Sequence, residues 1–185
     1  MDKKIKVLGI AGSLRKGSYN KGLMRAAVEV APENMEIEVY DIKDIPLYNQ
    51  DMEANMPEVI KEFKKKIVES DAILIATPEY NYSIPGVLKN ALDWGSRPYG
   101  NDSWEGKPVA IMGATPSGFG TMRSQNHLRG AFVFFNMHPI NHPEVYISFA
   151  NKKCDENGNL HDDESKEKIK QLLKALYDWT IKLKK

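Results

Sequence analysis

Two loops of this chain carry residue types that could hold an anion and a flat ring. Residues 12–20, Gly-Ser-Leu-Arg-Lys-Gly-Ser-Tyr-Asn, combine the hydroxyls of Ser13 and Ser18, the guanidinium of Arg15 and the amide of Asn20. These groups suit a phosphate: hydroxyl and amide donors satisfy its oxygens, and an arginine can meet them with two parallel N–H groups. Residues 77–83, Thr-Pro-Glu-Tyr-Asn-Tyr-Ser, offer a polar edge through Glu79 and Asn81 and two aromatic faces, Tyr80 and Tyr82, with Pro78 biasing Thr77 toward extended backbone. A third loop, residues 115–121, places Ser117 and Gly118 where a ring edge could be approached closely, although a plain glycine-rich turn explains them equally well. The combination points to a phosphorylated planar cofactor.

Elements that position these loops are legible in the hydrophobic pattern. Apolar, β-branched runs at 5–11, 37–42, 72–76, 109–114 and 145–149 read as strands buried on both faces. Helical periodicity fills the gaps at 21–30, 58–69, 85–94 and 122–134, and a last helix runs from 163 to about 183. Strand and helix alternate, and right-handed crossovers between parallel strands are the common way to pack such an alternation. A single domain over 1–185 is expected: a flavodoxin-like three-layer α/β sandwich with a five-stranded parallel sheet of order 2-1-3-4-5 and helices on both faces. In that order strands one and three flank the point where the winding reverses, so the first two loops border one crevice. A helix starting just after the first loop would add its free N-terminal amides to the anion site. Asn20 is expected to cap that helix, Pro57 and Pro85 to occupy first turns, and Asp162 or Asp163 to open the last helix. The charged tract 152–170 reads as a solvated loop running into that helix.

Composition narrows the function. The formal net charge is +1, which gives no electrostatic reason to expect nucleic acid or an anionic membrane as partner. One cysteine, Cys154, fits a reducing compartment and is read as a bystander, and with no export signal or membrane span recognised a cytoplasmic location is expected. His138 and His142 are separated by Pro139, which breaks the helix that could align them, so no metal site is expected. Lys16-Gly17-Ser18 reverses the order of a P-loop ending, and Gly9 and Gly12 lack the spacing of a dinucleotide fingerprint.

At these motifs the chain resembles the NADPH-dependent FMN reductase family, flavodoxin-like proteins that include quinone, azo-dye and chromate reductases. GSLRKGSYN at 12–20 is similar to the family's phosphate loop, TPEYNYSIPGVLKNALDW at 77–94 to its long signature, and Ser117-Gly118 followed by Met122-Arg123 to its third segment. The resemblance implies that Ser13, Arg15, Ser18 and Asn20 hold the phosphate of FMN. It further implies that Pro78, Glu79, Tyr80 and Asn81 line the isoalloxazine ring and that Ser117 and Gly118 approach its other side. It implies NAD(P)H as electron donor, a small-molecule acceptor such as a quinone, azo compound, free flavin or metal ion, and ping-pong transfer of two electrons with no catalytic acid, base or nucleophile. A homodimer or homotetramer is implied as well, and Trp94, Tyr99 and Trp104, bordering 95–106, could form such a surface or merely anchor a loop. The competing reading is a flavodoxin-type FMN electron carrier without nicotinamide-dependent activity, which the near-neutral charge disfavours.

Overall fold

A computed structural model describes residues 4–184; the first three residues, on which part of the export-signal reading falls, lie outside the described residues. Six parallel strands form the sheet: β1 (Ile5–Ala11), β2 (Met35–Tyr40), β3 (Ala72–Ala76), β4 (Pro108–Ala114), β5 (His138–Pro139) and β6 (Val145–Ile147). The order is β2-β1-β3-β4-β5, with β6 also pairing β4. Among the described residues five α-helices cover it: α1 (Tyr19–Glu29), α2 (Glu58–Glu69), α3 (Gly86–Gly95), α4 (Met122–Phe134) and α5 (Asp163–Leu183).

Alternation of side chains across the strands builds two cores. Ala72, Leu74 and Ala76 of β3 and Ala110, Met112 and Ala114 of β4 face α1 and α5, where they meet Leu23, Ala27, Leu172 and Leu176. Ile73, Ile75, Val109 and Ile111 face the other way, toward Phe63 of α2, Leu88 and Leu92 of α3 and Leu128 and Phe132 of α4. Strands buried on both faces need no polar alternation, which is why they read as continuous apolar runs.

The fifth sheet position departs from the expected continuous strand at 145–149. β5 pairs Pro108 and Val109 at the start of β4, and β6 pairs Met112, Gly113 and Ala114 at its end. Pro139 and Pro143 lack the N–H that an unbroken ladder requires, so the chain leaves the sheet between them and returns. Strand two begins at Met35 and ends at Tyr40 rather than running 37–42. Helix α1 starts earlier than expected. Ser18, with extended backbone, is its cap and its hydroxyl accepts from the Lys21 N–H, while Asn20 lies inside the helix. Pro57 and Pro85 stand at cap positions rather than in first turns, and Asp162 caps α5 by accepting from the Ser165 N–H.

Candidate active site

The three loops emerge side by side at the carboxyl ends of β1, β3 and β4. Close backbone approaches hold them there. The Gly12 N–H donates to Ala76 O at 2.9 Å and the Thr77 N–H to Met112 O at 2.9 Å. A Cβ on Gly113 would lie 2.5 Å from Thr77 O, so only glycine admits that contact, and one on Gly12 would press to 2.9 Å from Leu88 Cδ2. Asn20 ties the first loop to the third: its Nδ2 donates to Ala114 O at 2.9 Å, and its Oδ1 accepts from the Ala114 N–H at 3.0 Å.

Around the first loop the donors converge on the start of α1. Ser13 and Ser18 are buried, and each hydroxyl accepts one long bond, from the Arg15 N–H at 3.3 Å and the Lys21 N–H at 3.4 Å. Neither hydroxyl donates to a protein acceptor among the described residues, and buried donors are ordinarily satisfied. Arg15 is exposed, lies 5.1 Å over the Tyr19 ring, and forms no ion pair among the described residues. Two buried hydroxyls with hydrogens to give, an unpaired guanidinium and the open amides of a helix start fit a phosphate dianion. The Asn20 side chain is not free for such a ligand, because it serves Ala114.

The second loop closes as a tight turn in which Tyr80 and Ser83 exchange backbone hydrogen bonds of 3.2 and 3.0 Å. Asn81 and Tyr82 both take positive φ, 49° and 67°, the pattern of a type I′ turn. Pro78 is buried at its base, and Tyr80 and Tyr82 stand exposed. Glu79 turns away from solvent. Its carboxylate accepts from the Arg123 N–H at 3.0 Å, Arg123 Nε at 2.6 Å and the Ser124 N–H at 3.3 Å. It thereby caps α4, whose own cap residue, Thr121, has left-handed backbone and makes no capping bond through its side chain. Arg123, so held, packs its guanidinium 3.8 Å from the Tyr82 centroid and 4.3 Å from that of Phe119.

Ser117 and Gly118 lie exposed in the third loop, which is laced to the segment after β6. The Phe149 N–H donates to Ser117 O at 3.1 Å and Ser148 Oγ to Gly118 O at 2.9 Å. Tyr80, Tyr82, Phe119 and Phe149 are all more than half exposed, so the crevice is an open aromatic shelf rather than a closed cavity. A groove of about 690 Å³ lies at the opposite end of the sheet, between the end of α1 and α5, away from every one of these loops.

Several participants left little trace in local pattern. The Glu79–Arg123 clamp joins residues 44 apart in sequence. Lys64 is buried on α2, and its ammonium donates to Gly95 O, Arg97 O and Asn101 O at 3.0, 2.6 and 2.7 Å, pinning the 95–101 loop. Burial pushes that ammonium below its ordinary pKa. In the neighbouring cluster Glu53 accepts from Arg97 Nε at 2.6 Å and from the Tyr48 hydroxyl at 2.5 Å. Trp94 and Trp104 are fully buried anchors of this region, and Tyr99 alone of the three aromatics faces out. Gly113, an isolated glycine inside a strand, was a readable sign of close backbone approach.

The chain is 50% identical over 185 residues, all of both chains, to an NAD(P)H-dependent FMN reductase of Pseudomonas aeruginosa. It is 48% identical to an NAD(P)H:quinone oxidoreductase of Solanum tuberosum, covering 97% of this chain and 95% of that one. Among solved structures it superposes on a flavoenzyme NAD(P)H:acceptor oxidoreductase of Paracoccus denitrificans with a TM-score of 0.88 at 36% identity, covering 96% of this chain and 98% of that one. With residues 5–152 also matching the model of the NADPH-dependent FMN reductases, the chain belongs to that family.

Proposed function

We propose that the protein holds FMN with its phosphate at the start of α1 and its ring on the aromatic shelf, and uses it to pass two electrons from NAD(P)H to a quinone. Membership of the family makes it an FMN-dependent NAD(P)H oxidoreductase. The observation that carries the placement is the pair of buried, donor-free-to-give hydroxyls, Ser13 and Ser18, beside the unpaired Arg15. FMN, when bound, supplies the capacity to take up and release a hydride. The chain's own residues bind and orient. Ser13, Ser18, Arg15 and the Asn20 N–H grip the phosphate, while Pro78, Tyr80, Asn81 and the backbone beside Glu79 line one side of the ring. Ser117 and Gly118 approach it from the other side.

The shelf of Tyr80, Tyr82, Phe119 and Phe149 offers flat apolar area to a nicotinamide or a quinone, but one surface cannot seat both at once. The donor's oxidised form therefore leaves before the acceptor enters, which is ping-pong kinetics. Reduction of quinones follows the names of several relatives, including a 2-hydroxy-1,4-benzoquinone reductase of Burkholderia sp.. Those activities also weigh against a carrier that merely holds FMN.

We further read the protein as a homo-oligomer, at least a dimer. Val133 and Phe134 of α4 are 82% and 69% exposed, and the exposed Tyr99 lines a common groove with Phe134. Gly130, with open space around its Cα, would let a partner helix approach closely. Light scattering on the purified protein should give twice or four times the chain mass; a monomer removes this reading.

Anaerobic mixing with NADPH alone tests the function. Bleaching of the flavin absorbance without acceptor, its return on adding a quinone, and parallel double-reciprocal plots are expected. Persistent oxidised flavin indicates the carrier, and intersecting plots overturn the ping-pong order.

A further inference from the structure

Residues 155–159, Asp-Glu-Asn-Gly-Asn, belong to the charged tract that reads from sequence as a solvated loop, yet the structure seats part of it against the first loop. Cys154 and Leu160 are buried and bridge to each other in antiparallel fashion, closing the segment into a small turn. Asp155 builds its interior: Oδ1 accepts from the Asn157 and Asn159 N–H groups at 2.9 and 2.7 Å, and Oδ2 from Asn159 Nδ2 at 2.8 Å. Bonds from the Asn159 side chain and backbone hold the Asp155 carboxyl below its usual pKa. Arg25 fastens the turn to α1, with Nε donating to Asn159 Oδ1 at 2.7 Å and Nη2 to Asn157 O at 3.3 Å.

The contact with the first loop is backbone on backbone. Gly158 is buried with φ +78°, and a Cβ there would lie 2.9 Å from Gly17 O and 3.0 Å from Ser18 O. A Cβ on Gly17 would lie 3.3 Å from Glu156 O, and one on Gly22 only 1.7 Å from Gly158 O. Three glycines thus allow the turn to press against the segment where the loop becomes α1. Within the loop itself support is slight, since Leu14, Arg15 and Lys16 are exposed and the two hydroxyl-accepted bonds are 3.3 and 3.4 Å. Ser18 O accepts from the Gly22 N–H at 3.0 Å, and the turn supplies the remaining support by packing against Gly17 and Ser18.

We propose that residues 155–159 form a brace that sets the geometry of the phosphate loop, so that Gly22, Asp155 and Gly158 are positioning residues for the phosphate of FMN. The inference rests on placing that phosphate at the first loop. The brace lies beyond the 5–152 segment that matches the family model. A cradle held in its binding geometry before the ligand arrives avoids the cost of ordering it on binding. Among the described residues no hydrogen bond of the brace reaches a residue assigned to the ring, so its loss weakens the grip on the phosphate and leaves ring binding alone.

Riboflavin, which shares the ring but lacks the phosphate, separates the two effects. FMN and riboflavin are titrated into apoprotein of the parent, of Gly22→Ala and of Asp155→Ala, with quenching of flavin fluorescence as the readout. Alanine suits a helix interior better than glycine, so Gly22→Ala disturbs the brace without weakening α1 itself. Expected is a fall in FMN affinity of about tenfold for Gly22→Ala and about threefold for Asp155→Ala, with riboflavin unchanged within about twofold. FMN binding that is unaltered, or that falls in step with riboflavin, overturns the inference. If Gly22→Ala does not fold, Asp155→Ala, altered at an exposed side chain, decides by the same criterion. A parent protein that binds both flavins equally would refute the phosphate site itself, and the brace with it.

Discussion

Replacing Asn20 separates a residue that grips a ligand from one that ties the sheet to a helix. In the structure its amide is buried, and both of its polar atoms pair with the backbone of Ala114 at 2.9 and 3.0 Å. Asn20→Ala would leave the Ala114 N–H and C=O without partners, and an unsatisfied buried group costs about 1–3 kcal/mol. Two such groups give about 2–6 kcal/mol, and entry of a water into the vacated space favours the lower half, about 3 kcal/mol. With a urea m-value of about 2–3 kcal/mol/M, the unfolding midpoint of the apoprotein should fall by about 1 M at unchanged slope. Asn20→Asp should fall similarly, because its carboxylate can accept from the Ala114 N–H but faces the Ala114 carbonyl with no hydrogen to offer. Urea unfolding of flavin-free protein, followed by far-UV circular dichroism, measures both. An apoprotein whose stability stays within about 0.5 kcal/mol of the parent refutes the reasoning and returns Asn20 to the role of side-chain ligand.

Arg15→Ala should weaken FMN retention by about ten- to a hundredfold, the worth of a charge-assisted contact, with the melting temperature of the apoprotein unchanged; equilibrium dialysis against FMN checks it. Glu79→Gln should destabilise the apoprotein by about 1–2 kcal/mol through loss of the charged cap of α4, as read by urea titration. Cys154 should resist alkylation: burial, then the neighbouring Asp155, pushes its thiol up to about 11. Its labelling by iodoacetamide at pH 8 should run about a hundredfold slower than in urea, and equal rates would contradict the burial. Asp162, held below its usual pKa first by the Ser165 hydroxyl, supports α5 when ionised. A depressed carboxyl stabilises above its unfolded value of about 3.9 and loses that contribution as pH falls through the folded value beneath it. Asp162→Ala should therefore lower stability at pH 7 and lessen the further loss on acidification.

The sheet was legible because a strand covered on both faces shows its burial in every residue, as 72–76 and 108–114 do. Where proline interrupts the ladder, at 139 and 143, an apolar pattern carries no record of a strand that leaves and rejoins, and the two-part edge was missed. The loop positions followed from topology once the order was read. Individual roles within them did not, because they depend on long-range pairs: Asn20 has the residue type of a cap and an anion ligand, but a partner 94 residues away claims its side chain. Glu79 reads from sequence as part of a polar edge, whereas its carboxylate is taken up by the start of α4. The brace at 155–159 was hidden by composition. Charged residues there face water while the glycine backbone between them is buried, and residue type reports only the former.

A crystal structure of the protein with FMN tests the central claim most directly. The account requires the phosphate at the N-terminus of α1, bonded by the Ser13 and Ser18 hydroxyls and Arg15, with the ring lying between residues 78–81 and 117–118. Flavin in the groove between α1 and α5, or a phosphate bound without contact to Ser13, Arg15 and Ser18, would contradict it.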